Sequence, residues 1–182
     1  SIQGDEQAGT GMVYRLAEHL RARPDLLEGR RVVMIPRANP DGMVYRTRHN
    51  MRGVDLNRNF AAENRENNAV NGPRGLSEPE SQAIQKVLEQ YDPARIVSIH
   101  QPLSCVDYDG PGENLARKMS SLCGLPVKKL GGRPGSLGSY AGMTLGVPII
   151  TLELPRSADL LSSEQLWDRY GTAMLAAVTW PR

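Results

Sequence analysis

The chain has 182 residues, a net charge of +2 and 23% charged residues, with a mean hydropathy of -0.43. This length suits one globular domain, residues 1–182, with a sizeable core. So small a charge and a single Phe argue against a nucleic-acid surface, and no apolar run approaches the roughly 20 residues of a membrane helix. Two cysteines, Cys105 and Cys123, are too few for a disulfide framework, so one bridge and two free thiols both stay open.

In chain order, "SIQGDE" (1–6) is an apolar stub that meets a glycine turn and a carboxylate pair, as a strand end does when it enters a βα loop. It has neither an initiator Met nor a signal peptide, and it starts inside that strand end. Earlier strands are therefore expected to precede Ser1. The compartment stays open between cytoplasm and periplasm, with the cytoplasm favoured. Residues 7–23 set Met12, Leu16 and Leu20, with Val13 and Ala17, on one helical stripe that Pro24 interrupts. "RRVVMIP" (30–36), bounded by Gly29 and Pro36, reads as a buried strand. Residues 37–76 hold many Asn, Arg and Gly and little periodicity; a loop that long is usually functional. Ser77 with Glu80 predicts a capping box opening a helix over 78–91. "RIVSIH" (95–100) is a second apolar strand ending on His100, and "SCVDYDG" a further one. A helix over 112–123 stops at Gly124, "GRPGSLGSYAG" has loop chemistry, "VPIITLELP" (147–155) is a buried strand, and 163–179 is an amphipathic helix.

Apolar strands alternating with helices predict an α/β fold. The expected form is a three-layer α/β/α sandwich around a mixed, largely parallel sheet. Gln3, Glu6, His100 and Glu153 all fall at strand C-terminal ends, the edge where open α/β sheets bind ligands.

A catalytic zinc needs three protein ligands and an open position. Gln3 and Glu6 stand three apart across the Gly4 turn, and only three histidines exist, so His100 could complete the set. The plainer alternative is that Gln3 and Glu6 cap the following helix and His100 is a hydrogen-bonded strand end. A His at position 3 would make H-x-x-E, a zinc half-site; Gln keeps the site's formal charge and is a weaker donor. Glu153 lies in an otherwise apolar strand and must be solvated, paired with Arg156 or another arginine, or functional. "YRTRHNMRGVDLNRNF" supplies Arg46, Arg48, Arg52, Asn57, Arg58 and Asn59, a set suited to binding a carboxylate.

Together "QGDE", "NPDG", "TRHNMRGVDLNRNF", "GPRGLSEPES", "SIHQPLSCVDYDGP", "GSLGSY" and "ITLELP" resemble the zinc carboxypeptidases, and within them the murein peptide amidase branch. The resemblance spans nearly the whole chain. It implies one zinc ion held by His100, Glu6 and, at the first ligand position, Gln3. It implies that Glu153 is the general base, that Arg48 stabilises the oxyanion, with Arg46 and Arg52 as rivals, and that Asn57 and Arg58 clamp the substrate's terminal carboxylate. Gly135, Ser136 and Tyr140 would line the side-chain pocket. The expected activity is zinc-promoted hydrolysis of the γ-D-Glu–diaminopimelate bond of peptidoglycan-derived peptides. The partner would be a small peptide with a free C-terminal carboxylate, not nucleic acid or membrane.

Two departures stand out. No tyrosine near Leu130 matches the family's mobile lid, and the family's first His is Gln3, although Gln occurs there in peptidoglycan DL-carboxypeptidases. A metal-free muropeptide-binding protein and an N-acyl amino acid deacylase remain alternatives. His49 is a weak candidate ligand. His19 reads as surface. Asp5, Asp107 and Asp109 read as acidic loop residues that either meet the ammonium of a diamino acid or are solvated.

Overall fold

The fold was analysed in a computed structural model that describes residues 1–181. Three strands form one sheet, β1 (Ile96–His100), β2 (Leu103–Asp109) and β3 (Ile149–Pro155), in the order β1-β3-β2. β1 runs parallel to β3, and β2 runs antiparallel to it. The sheet is thus mixed, as expected, with one pair of each kind among the described residues. "SCVDYDG" is its antiparallel edge.

Side chains alternate across each strand, so the register sorts residues by face. Ile150, Leu152, Leu154 and Val106 point into a core shared with α1 (Ala8–Ala22), α4 (Glu113–Cys123) and α5 (Ser163–Thr179). Burying side chains of this size contributes about 1.5–3 kcal/mol each. The opposite face carries Ile149, which joins Leu56, Phe60, Leu137 and Ile84 of α3 (Pro79–Tyr91) in a second cluster. Helices therefore cover both faces, giving the three-layer α/β/α arrangement.

Local chemistry fixes the helix ends. α1 buries Met12, Leu16 and Leu20, the stripe visible in the sequence. Gly124 ends α4 in the left-handed conformation. α5 opens on a reciprocal capping box between Ser162 and Gln165. The capping box expected at Ser77 and Glu80 does not form. The N-cap of α3 is Glu78, with Pro79 next, and the Ser77 hydroxyl is taken up by Glu78 and Asn59. The long loop is less irregular than expected, since it holds α2 (Pro40–Tyr45), capped by the Asn39 side chain, and a 3-10 turn at Leu56–Arg58.

Residues 30–36 correct a second expectation. They alternate between half-buried and exposed positions as a strand does, with Val32 and Met34 packed on the core and Val33 and Ile35 outward. They pair with no strand among the described residues. A groove of about 310 Å³ separates them from β1, so their backbone has no ladder partner and they are extended chain rather than sheet.

Gly4 lets the turn before α1 pass close against α2. A Cβ there would overlap the Gly42 carbonyl carbon and lie 2.5 Å from its Cα. Both sides are backbone and cannot yield as a side chain would. Gly4→Ala is expected to lower stability by about 1–3 kcal/mol, read as a drop in the thermal unfolding midpoint; an unchanged midpoint would mean that the two segments do not touch.

Candidate active site

The turn at the chain start is closed by Glu6 N–H donating to the Gln3 carbonyl at 3.1 Å. Both side chains are buried. Glu6 Oε2 lies 2.7 Å from His100 Nδ1 and accepts from Gln101 N–H at 3.2 Å. Its other oxygen meets Arg48 Nη1 at 3.3 Å. Gln3 Nε2 donates to both oxygens of buried Asp55, at 3.0 and 3.1 Å. That orientation uses the nitrogen and leaves Oε1 as the free end of the amide. The helix-capping alternative is not realised: α1 has no side-chain cap bond at its N-cap, and Ala8 N–H is taken by Gln101 Oε1 at 3.1 Å.

The sheet register sets Glu153 directly between His100 on β1 and Cys105 on β2. Glu153 is buried and accepts Leu103 N–H at 3.3 Å. Burial pushes its carboxyl above the ordinary range, and Glu6 and Asp107 push it further; His100 and the Leu103 N–H oppose them. Arg156 is exposed and makes no ion pair with it among the described residues. A buried carboxylate with a raised pKa suits proton transfer.

Among the rival arginines, Arg48 reaches the centre. Its Nε donates to Asp55 Oδ2 at 2.7 Å while Nη1 contacts Glu6. Arg46 is exposed, and Arg52 approaches Glu78 only at 4.0 Å with most of its surface in solvent. Arg58 is half-buried and has no carboxylate partner among the described residues. Its Nη1 donates to its neighbour's carbonyl, Asn57 O, at 2.6 Å. Burial pulls its pKa down, Asp55 raises it, and Arg48 and Arg133 lower it; arginine stays charged regardless. Asn57 Oδ1 accepts Leu137 N–H at 2.9 Å, which fastens the arginine turn to the 135–140 loop.

In that loop Gly135 has φ +67°, and a Cβ would overlap the Arg58 carbonyl, so only glycine fits. Ser136 is buried, with its hydroxyl bonded to Ser139. Tyr140 differs from its expected place. Its ring stacks on Phe60 with centroids 6.0 Å apart, inside the second core. His49 is half-buried, and among the described residues its one hydrogen bond outside regular secondary structure is made by its backbone carbonyl, which accepts from the Thr47 hydroxyl. His19 packs against Trp167 at 5.6 Å. Both cysteines are free thiols.

Sequence reasoning missed Asp55, although "DLN" contains an Asx-type cap: Asp55 Oδ1 accepts Asn57 N–H at 2.9 Å. It also read Asp107 and Asp109 as loop residues. Both are buried on β2, and their spacing of two was the available sign that they share a face with Cys105.

The sequence profile for zinc carboxypeptidase matches residues 1–108. The chain belongs to the zinc carboxypeptidase family. Murein peptide amidase A of Escherichia coli (strain K12) is 33% identical over a 195-residue alignment, covering 97% of this chain and 76% of that protein. The murein-tripeptide amidase structure from Escherichia coli O157 superposes with a TM-score of 0.77 at 27% identity, over 100% of this chain and 80% of that one. Bovine thrombin-activatable fibrinolysis inhibitor, at 20% identity and a TM-score of 0.79, covers 98% of this chain and 78% of its own, and shows the fold alone. As a zinc carboxypeptidase, the chain is a hydrolytic enzyme.

Among the described residues no three His, Cys, Asp or Glu side chains gather to hold a metal. Glu6 and His100 share one locus, so the family's zinc would need Gln3 Oε1 as a third protein donor, with Asp55 as the outer partner that orients the amide. Asp55→Asn is expected to weaken zinc binding about 10- to 100-fold, measured by competition with a chromophoric chelator. In the same assay Gln3→His should bind at least as tightly as wild type and Gln3→Ala more weakly. Identical affinity in all of them would remove Gln3 from the site.

Proposed function

We propose that the enzyme hydrolyses muropeptides such as L-Ala-γ-D-Glu-meso-diaminopimelate at the bond before diaminopimelate, with Gln3, Glu6 and His100 holding zinc. The observation that carries this reading is Arg58, half-buried, without a salt-bridge partner among the described residues, and within the electrostatic reach of Asp55 and Glu6. A charged guanidinium kept without an anion is a place for one, and a C-terminal carboxylate supplies it. The curated relatives named as murein peptide amidases support the choice of substrate.

Arg58 and Asn57 fix the terminal carboxylate, which sets the preceding amide near Glu153. Glu153 accepts the proton of the attacking water and returns it to the leaving amine. Arg48 donates to the carbonyl oxygen as negative charge develops there, and its bond to Asp55 holds it in place. Zinc, when bound, supplies Lewis acidity and makes water a nucleophile at neutral pH.

Glu153→Gln should retain zinc and lose about 10²- to 10⁴-fold in kcat, by chromatographic assay of released diaminopimelate. An active variant would remove Glu153 as the base. The linkage also has a sign. Because the folded carboxyl titrates above its unfolded value of 4.5, the unfolded chain releases this proton first as pH rises. Ionised Glu153 therefore costs stability, which falls from about pH 4.5 up to the raised folded pKa and is level above it. In metal-stripped protein, Glu153→Gln should match wild type below that window and melt higher above it. A variant that melts lower at neutral pH would show that Glu153 is not strained by burial.

A further inference from the structure

The connection from β1 to β2 is only Gln101 and Pro102, and it runs between the two carboxylates of the centre. Gln101 N–H donates to Glu6 Oε2 at 3.2 Å. Leu103 N–H, just past the connection, donates to Glu153 Oε2 at 3.3 Å. Pro102 between them has no N–H to offer. One short stretch of backbone therefore aims one donor at the ligand side and another at the base. Such donors hold their targets only while the backbone that carries them stays in place. Yet this stretch lies largely at the surface, with Pro102 exposed and Leu103 47% exposed.

Gln101 is its one buried residue, at 7% exposure. Both ends of its amide are used. Oε1 accepts Ala8 N–H at 3.1 Å, and Nε2 donates to Asp159 Oδ1 at 2.9 Å. The amide fits only this way round, because a backbone N–H can only donate and an ionised carboxylate can only accept. Ala8 opens α1 just after Glu6, and α1 has no cap bond from its own N-cap side chain. Asp159 lies in the 3-10 turn Arg156–Leu160, directly after β3 and its Glu153. The Gln101 side chain thus grips the segment that carries Glu6 and the segment that follows Glu153. The backbone it anchors then contacts both carboxylates.

We propose that Gln101 is a positioning residue for both carboxylates: its buried amide fixes the β1–β2 connection, so that the N–H groups of Gln101 and Leu103 hold Glu6 beside His100 and Glu153 at the reacting centre. This rests on the zinc peptidase reading above and adds to it a residue that acts only through others. Asp159 is the outer end of the anchor.

The test measures zinc affinity by chelator competition, kcat and KM of the zinc-saturated enzyme on the muropeptide, and the thermal unfolding midpoint. Gln101→Met keeps the side-chain length and loses both bonds. It should weaken zinc binding about 10- to 100-fold, as removal of a partner that orients a ligand does, and lower kcat about 10-fold. KM should stay within about threefold of wild type, because Asn57 and Arg58 sit on a separate turn. Asp159→Ala and Asp159→Asn lose the same charge, and only asparagine keeps an oxygen for the Gln101 amide. Asp159→Ala should therefore move in the direction of Gln101→Met, and Asp159→Asn, at an exposed position, should stay within about threefold of wild type. This exposed pair decides the matter even where Gln101→Met fails to fold. Unchanged zinc affinity in Asp159→Ala overturns the assignment. So does a KM that rises as much as kcat falls, the mark of general loosening. So does an Asp159→Asn enzyme as impaired as Asp159→Ala, since the charge and not the bond would then be the cause. A wild type that binds no zinc is a separate result, seen before any variant is made. It overturns the metal reading, and the assignment falls with it.

Discussion

One buried carboxylate, that of Asp55, ties three parts of the site together. It takes the Gln3 amide, the Arg48 guanidinium and the Asn57 backbone N–H at the same time. Those groups come from the chain start, the middle of the long loop and the 3-10 turn. Their spacing rests on this side chain together with the Arg48–Glu6 contact and the bonds that Asn39 and Gln7 make between the chain start and the loop. A buried carboxylate is stable only when it is paired and hydrogen-bonded, and these three donors meet that need. The energetic requirement of Asp55 and the geometric requirement of the site are satisfied by the same bonds.

The sheet supplies the second constraint. Because side chains alternate across each strand, one face of β3 is given to Ile150, Leu152 and Leu154 and the other to Ile149, Thr151 and Glu153. The apolar face contributes most of the stabilising burial through α1, α4 and α5. The opposite face can then hold carboxylates that no core would choose. A one-residue slip would exchange the two sets, so the apolar packing also keeps Glu153 level with His100. Stability on one side of the sheet specifies chemistry on the other.

Residue periodicity carried much of the fold. The stripe of α1, the apolar runs of β1 and β3, and Gly124 after α4 are local signals, and each element lies within a residue or two of its expected bounds. The strand expected at 30–36 was not recoverable that way. Its side chains alternate correctly, but being a strand requires a neighbouring backbone, which is a tertiary fact. The cap of α3 shifted because Asn59, eighteen residues before Ser77, competes for its hydroxyl. At the site, motif identity marked the residues, and only geometry separated Arg48 from Arg46 and Arg52. Tyr140 shows the reverse case. A partner eighty residues earlier, Phe60, draws the ring into the core.

The same logic bears on glutamine at a position where the family carries histidine. An amide has a donor end and an acceptor end, and which end faces a metal depends on what holds the other. Ionised Asp55 can only accept hydrogen bonds, so it selects the Gln3 nitrogen and turns the oxygen away from itself. An imidazole held by such a carboxylate is fixed in the same sense, donating from one nitrogen and leaving the other to coordinate. The outer partner therefore imposes one polarity on either side chain. What changes is donor strength, since an amide oxygen gives a metal less electron density than an imidazole nitrogen. On the zinc reading proposed above, the exchange would leave the charge of the site and the direction of its free lone pair intact, and would place the burden of affinity on Glu6 and His100.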